Sequence, residues 1–263
     1  MNASLFDPDY ADAVLRASPS FDERRDGKAA DILLLHYTGL RDGASAEDWL
    51  CDPQSSVSCH YIVHEDGRVV QMVAEAARAW HAGVSVWQGE TDINSHSIGI
   101  EIVNGGHDHG MPDFPEKQID AVIALARDIV GRNAIAPARV LAHSDVAPGR
   151  KADPGEKFPW ARFAAAGIGH WVEPAPLGGG RYLTMGEAGQ PVEALQSMLA
   201  LYGYGIEVNG VFNGATATVV TAFQRHFRPQ RVDGVADVST IDTLHRLLAA
   251  LPQFRKGQNS AAG

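Results

Sequence analysis

The stretch "WVEPAPLGGG", residues 171–180, constrains this chain more than any other. Two prolines followed by three glycines continue neither helix nor strand. Proline lacks the amide donor, and glycine loses the most backbone freedom on ordering. Residues 173–180 therefore read as a linker that divides the 263 residues into two units of unequal size. With 45% hydrophobic and 21% charged residues the chain suits ordinary globular folding, and no stretch approaches transmembrane length.

The first unit reads as α/β, a central mixed β-sheet flanked by helices. "DILLLHY" (31–37) is a continuous apolar run, as a central strand requires. "HYIVHEDGRVVQMV" (60–73) folds as two strands about Asp66-Gly67. "SIGIEIVN" (97–104) alternates, with Ile98, Ile100 and Ile102 on one face and Gly99 and Glu101 on the other. In 114–133, Ile119, Val122, Ile123, Ala126, Ile129 and Val130 share a helical face, with Pro115 at its start and Gly131 at its end. "ARVLAH" then returns as a strand.

Beyond the seam, residues 181–252 carry three helical patterns, 191–203, 214–227 and 237–251, and read as a small three-helix bundle. "NGVFNGATATVV" and "DGVADVSTIDTL" repeat an Asx-Gly-Val turn before a helix start, 24 residues apart. Residues 253–263 read as a frayed tail.

The formal net charge of -10 argues against a nucleic-acid binder, which needs a basic face. Cys51 and Cys59 do not make a disulfide framework, and reduced thiols are the expectation. The first twenty residues have early acids and no apolar core of the signal-peptide kind, so the expected location is cytoplasmic.

Candidate chemistry gathers at strand ends, where side chains from distant positions meet in α/β sheets. His36 ends one apolar run and His143 another, and Asp153 follows in the loop "VAPGRKADPGEKFPW". Two imidazoles and a carboxylate make a catalytic zinc ligand set that leaves one position to water. The spacing is unspecific, and a histidine at a strand end also serves as a hydrogen-bonded structural residue. Glu101 lies in a strand otherwise of Ile and Gly, placed as a general base or as half of a buried salt bridge. Lys151, on a loop stiffened by Pro148, Gly149 and Pro154, is placed to hold an oxyanion or simply to face solvent. Trp80 and His81 in "RAWHAG" are candidates to line a substrate groove, or to be core and turn cap. His60 and Asn104 are further candidates for substrate contact, His60 alternatively bonding within the sheet. His107 and His109 read as an accidental surface pair.

Taken in order, "LLLHYTG", "HYIVHEDGRVVQ", "AWHAG", "SIGIEIVN" and "AHSDVAPGRKADPGEKFPW" resemble the zinc-dependent N-acetylmuramoyl-L-alanine amidases of the peptidoglycan-recognition-protein fold, over residues 17–172. "GVFNGATATVVTAFQ" and "VDGVAD" resemble the small helical peptidoglycan-binding module often fused to them. The resemblance implies Zn2+ on His36, His143 and Asp153, Glu101 as catalytic carboxylate, and Lys151 polarising the scissile carbonyl. It implies hydrolysis of the amide between N-acetylmuramic acid, or its 1,6-anhydro form, and L-Ala, with muropeptides or murein as partners. A non-catalytic muropeptide sensor and a zinc peptidase cutting within the stem peptide are the rival readings. A wall-binding module also leaves a periplasmic or wall-associated location open.

Overall fold

The computed structural model describes residues 6–255; of the expected tail, 256–263 lie outside the described residues. Among the described residues, eight strands and nine α-helical segments follow in chain order. They are β1 Val14–Leu15, β2 Phe21–Glu23, β3 Ile32–Tyr37, α1 Gly43–Cys51, β4 Tyr61–Val63, β5 Val69–Gln71, β6 Ala77–Ala79, α2 Ile93–His96 and β7 Ser97–Ile102. Then come α3 Glu116–Asn133, β8 Val140–Ala142, α4 His143–Val146, α5 Trp160–Ala165, α6 Gln190–Tyr202, α7 Gly214–Phe227, α8 Val238–Ala250 and α9 Pro252–Arg255. The main sheet is mixed, in the order β1-β5-β4-β7-β3-β8, and β2 pairs with β6 in a separate ribbon.

Period-two alternation decides what each face of this sheet carries. On one face Leu33 and Leu35 of β3, with Ile98, Ile100 and Ile102 of β7, pack under α3. Each such fully buried aliphatic side chain contributes about 1.5–3 kcal/mol. α3 buries Ile119, Val122, Leu125, Ala126 and Ile129, whereas Ile123 and Val130 are only half-buried. The helix also outlasts its expected glycine stop, ending at Asn133 with Ala134 left-handed at φ 50°.

On the opposite face Ile32 and Leu34 of β3 and Leu141 of β8 join one apolar cluster with Phe212, Phe223, Phe227 and Leu244 from beyond the seam. The two halves of the chain thus share a core. The seam segment lacks regular structure but is pinned, with the Ala175 amide donating to Thr243 and its carbonyl accepting from Ser239. The expected hairpin forms, with Val63 opposite Val69 and Gly67 at φ 90° in its turn.

The repeat in the second half has a physical basis. Gln196 accepts from the Asn209 and Gly210 amides and donates to Val211 and Thr216. Gln224 does the same with Asp233, Gly234, Val235 and Thr240. Each buried amide side chain closes one turn onto one helix start, leaving the turn's polar backbone satisfied.

One addition extends the first unit towards its start. β1 pairs in parallel with β5, and Asp9 accepts from Gln71 and from the Glu75 amide, so residues 9–15 belong to the sheet edge.

Candidate metal centre and groove

His36 and His143 reach the same place by the same rule. β3 and β8 are parallel neighbours with Leu34 opposite Leu141. Two residues on from each leucine, on the same face, come His36 and His143. On the other side of β3, His36 pairs with Glu101 of β7, which puts that carboxylate beside it on the same face. Asp153 arrives from the loop after α4, whose Asp153 carbonyl accepts from the Ser144 amide.

The three donor atoms form a tight triangle. His36 Nδ1 is 2.8 Å from His143 Nδ1 and 3.0 Å from Asp153 Oδ2, and His143 Nδ1 is 2.9 Å from the same oxygen. All three residues are buried. The protons on the far side of each ring can be followed. Ser97 Oγ donates to the Ile93 carbonyl at 2.6 Å, so it accepts from His81 Nε2 at 3.2 Å. His81 Nδ1 then accepts from His36 Nε2 at 2.9 Å. His143 Nε2 donates to the Ala82 carbonyl at 3.0 Å. In their neutral forms both rings therefore turn an Nδ1 lone pair towards a carboxylate oxygen.

Burial, and then the neighbouring His143, hold His36 down to about 4, so it is neutral at pH 7. Burial alone would raise Asp153; the charge and N–H groups of His143 and His36, when those rings are protonated, pull the carboxyl well below the usual range. With both rings neutral, only a bound cation would supply that pull. Three lone pairs within 3 Å repel one another unless a cation lies among them. The donor set fits a divalent metal ion, and among the described residues this trio is a candidate metal site.

A groove of about 170 Å³ opens over the trio, lined by Tyr37, Trp49, Trp80, His81, Glu101 and Lys151 among others. Glu101 Oε2 is buried there with no hydrogen-bond partner. Burial, then the nearby Asp153, raises its carboxyl well above the ordinary value, with Lys151 offsetting this only in part. Among the described residues nothing pairs with that oxygen, so the salt-bridge alternative is absent there. Lys151 is exposed at the groove.

Trp80 is half-buried in the groove wall, its indole donating to Asp22 at 3.1 Å, rather than in the core. His81 lies between His36 and Ser97, pushed well below its ordinary pKa by burial and then by His36.

Two candidates are not placed at the groove. His60 accepts from the Gly99 amide of β7 and lies 3.2 Å from the Ala77 carbonyl of β6, so its two ring nitrogens are taken up between the main sheet and the ribbon. Asn104 donates to the Pro112 carbonyl and accepts from the Gly106 amide, closing the 104–112 loop. Neither lines the groove, because their polar atoms are already used. His107 bridges Tyr37 at 3.0 Å and Glu156 at 3.1 Å, a tie its exposed loop did not foreshadow.

Sequence reasoning missed Trp49, 53% exposed on α1 and facing the groove, although an exposed indole two turns into a helix is itself a signal. It also missed Asp145, two residues after His143, which is fully buried. A larger cleft of about 920 Å³, lined by Arg25, Arg78 and Arg150, lies between the 83–86 loop and α7 and contains none of the donors.

Metal-ligand types at one end of a mixed sheet, beside a carboxylate oxygen buried without a partner, are groups suited to a hydrolase. Residues 26–156 match the N-acetylmuramoyl-L-alanine amidase family, and residues 188–244 match a peptidoglycan binding domain family. The chain is 39% identical over 237 residues to N-acetylmuramoyl-L-alanine amidase AmiD of Escherichia coli (strain K12), covering 83% of this chain and 84% of that protein. It is 33% identical over 165 residues to 1,6-anhydro-N-acetylmuramyl-L-alanine amidase AmpD of Enterobacter cloacae, covering 56% of this chain and 86% of that one. Among solved structures, E. coli AmiD in complex with anhydro-N-acetylmuramic acid-L-Ala-D-gamma-Glu-L-Lys superposes with a TM-score of 0.74 at 37% identity, covering 90% of this chain and 94% of that one. Pseudomonas aeruginosa AmpDh3 gives 0.72 at 32% identity, covering 94% and 100%. The chain belongs to the N-acetylmuramoyl-L-alanine amidase family. No helix among the described residues is long and apolar enough to cross a membrane.

Proposed function

We propose that this chain hydrolyses the amide between the lactyl group of N-acetylmuramic acid, in its 1,6-anhydro form, and L-Ala of the stem peptide. One observation carries the reading: three lone-pair donors converge within 3.0 Å in the groove that also holds the unpartnered Glu101 oxygen. The relatives' structures with anhydro-N-acetylmuramic acid-L-Ala-D-gamma-Glu-L-Lys and with anhydromuramic pentapeptide support the anhydro form. The same reading assigns 17–172 to the catalytic unit and 181–252 to a peptidoglycan-binding unit.

His36 Nδ1, His143 Nδ1 and Asp153 Oδ2 would hold Zn2+, which when bound supplies Lewis acidity and an acidified water. Glu101 takes a proton from the attacking water and returns it to the departing L-Ala nitrogen. Its raised proton affinity suits both halves of that task. The Lys151 ammonium stands at the groove to hold charge developing on the carbonyl oxygen. Tyr37, Trp49 and Trp80 offer flat faces to sugar and peptide, and His81 and the Ala82 carbonyl fix the His36 and His143 rings from behind.

Mass spectrometry of products from soluble anhydromuramyl peptide tests this. The expected products are the free anhydro-sugar and an intact peptide beginning with L-Ala, lost on chelation and regained on adding Zn2+. Peptides shortened from within would instead identify a stem-peptide peptidase, and no turnover in the zinc-loaded protein would identify a binder. For location, a reducing cytoplasm suits Cys51 and Cys59, both free thiols. Fractionation that recovers the protein from an oxidising compartment would overturn that placement.

A further inference from the structure

Helix α7 belongs to the second half of the chain, yet it lies along the segment 143–156 that carries His143, Lys151 and Asp153. At the middle of that segment a Cβ on Gly149 would stand 2.7 Å from Thr218 Cγ2, so helix and loop touch with no room for a side chain. At its two ends the grip comes from consecutive residues. Arg225 Nε pairs with Glu156 at 3.6 Å, and His226 Nδ1 donates to Asp145 Oδ2 at 2.6 Å. The His226 ring is itself clamped, stacked 3.7 Å from Trp160 and 3.7 Å from Phe227.

Asp145 is the centre of this contact. It is 0% exposed and accepts from Tyr204 Oη at 2.6 Å, from His226, and from the Ala142 amide at 2.8 Å. A carboxylate so deeply buried is costly unless its oxygens are satisfied, and two of these donors come from beyond the seam. Asp145 in turn closes α4, the single turn whose first residue is His143. Without Tyr204 and His226 the Asp145 carboxylate keeps one bond, to the Ala142 amide.

We propose that the second unit braces the metal-holding segment, with Tyr204 and His226 as positioning residues that act through Asp145 on His143. The inference rests on the metal-centre reading above, and goes beyond any role of this unit in holding murein.

The test uses the full chain, with Tyr204→Phe, His226→Ala and His226→Gln. The Zn2+ dissociation constant is read by competition with a chromophoric chelator, alongside kcat, KM and melting temperature on soluble anhydromuramyl peptide. Tyr204→Phe and His226→Ala are expected to weaken Zn2+ binding about tenfold. Their kcat should fall at limiting Zn2+ and recover with excess, at unchanged KM. His226→Gln keeps an N–H towards Asp145 and should regain most of the affinity. Variants that melt earlier but bind Zn2+ as tightly as the parent would reduce the contact to ordinary packing and overturn the inference alone. A parent chain that binds no Zn2+ would overturn the metal-centre reading and this inference together. Should His226→Ala fail to fold, Tyr204→Phe decides, since it removes a single hydroxyl.

Discussion

The two sides of the groove are furnished in opposite ways. His36 and His143 commit both ring nitrogens, one towards the shared centre and one to His81 or the Ala82 carbonyl. Glu101 Oε2, on the neighbouring strand, is buried and has no partner, and Lys151 faces the opening. A ligand has to be held, because a ring free to rotate loses its aim. A proton carrier has to be left untied, because hydrogen bonds to its charged form would lower its pKa and spoil it as a shuttle. The protein spends its polar contacts on holding and withholds them where a proton moves.

That contrast breaks most visibly at Glu101. Glu101→Gln keeps the shape and removes the proton carrier, and should lower kcat by about 10²–10⁴ while leaving Zn2+ binding intact. The same variant sharpens the contrast through stability. The folded carboxyl binds its proton more tightly than the unfolded one. Its ionisation therefore costs stability as pH rises from the unfolded value towards the raised folded one. Metal-free Glu101→Gln should melt above the metal-free parent at neutral pH, with the gain vanishing in acid below about 4. A variant less stable than the parent at pH 7 would show that Glu101 is a held group after all. Lys151→Ala should cost less, about 10²-fold in kcat with KM moved only slightly. An unchanged rate would return Lys151 to the role of a solvated loop residue.

How much of this was legible in the chain follows from the range of each interaction. The apolar patterning of β3, β7 and β8 is local, so it announced both the strands and the ends at which His36, Glu101 and His143 stand. Face and partner are not local. Nothing in "SCHYIV" says that His60 accepts from the Gly99 amide across the sheet, or that Asn104 is consumed by its own loop. The Asp145 contacts join positions 59 and 81 residues apart, and neither Tyr204 nor His226 departs from the pattern of an ordinary apolar helix flank. The seam misleads for the same reason. Proline and glycine correctly forbid regular structure there, but cannot reveal that Thr243 and Ser239 pin the segment or that one apolar cluster runs past it.

The smallest effect expected on the held side concerns Gly99, which a strand interior tolerates only for a reason. Gly99 pairs with Leu34 two residues before His36, and a Cβ there would stand 2.5 Å from His81 Nδ1. That nitrogen accepts from His36, so Gly99→Ala must displace either the strand or the His81 ring. The strand is hydrogen-bonded on both sides, between β3 and β4, so the ring is the softer of the two. Loss of its bond frees His36 to rotate without removing a ligand. Zn2+ affinity should then fall by up to about tenfold, with kcat at saturating Zn2+ nearly kept. If affinity is unchanged and kcat falls instead, His81 works in the reaction rather than behind His36, and the line between held and free groups has to be redrawn through it.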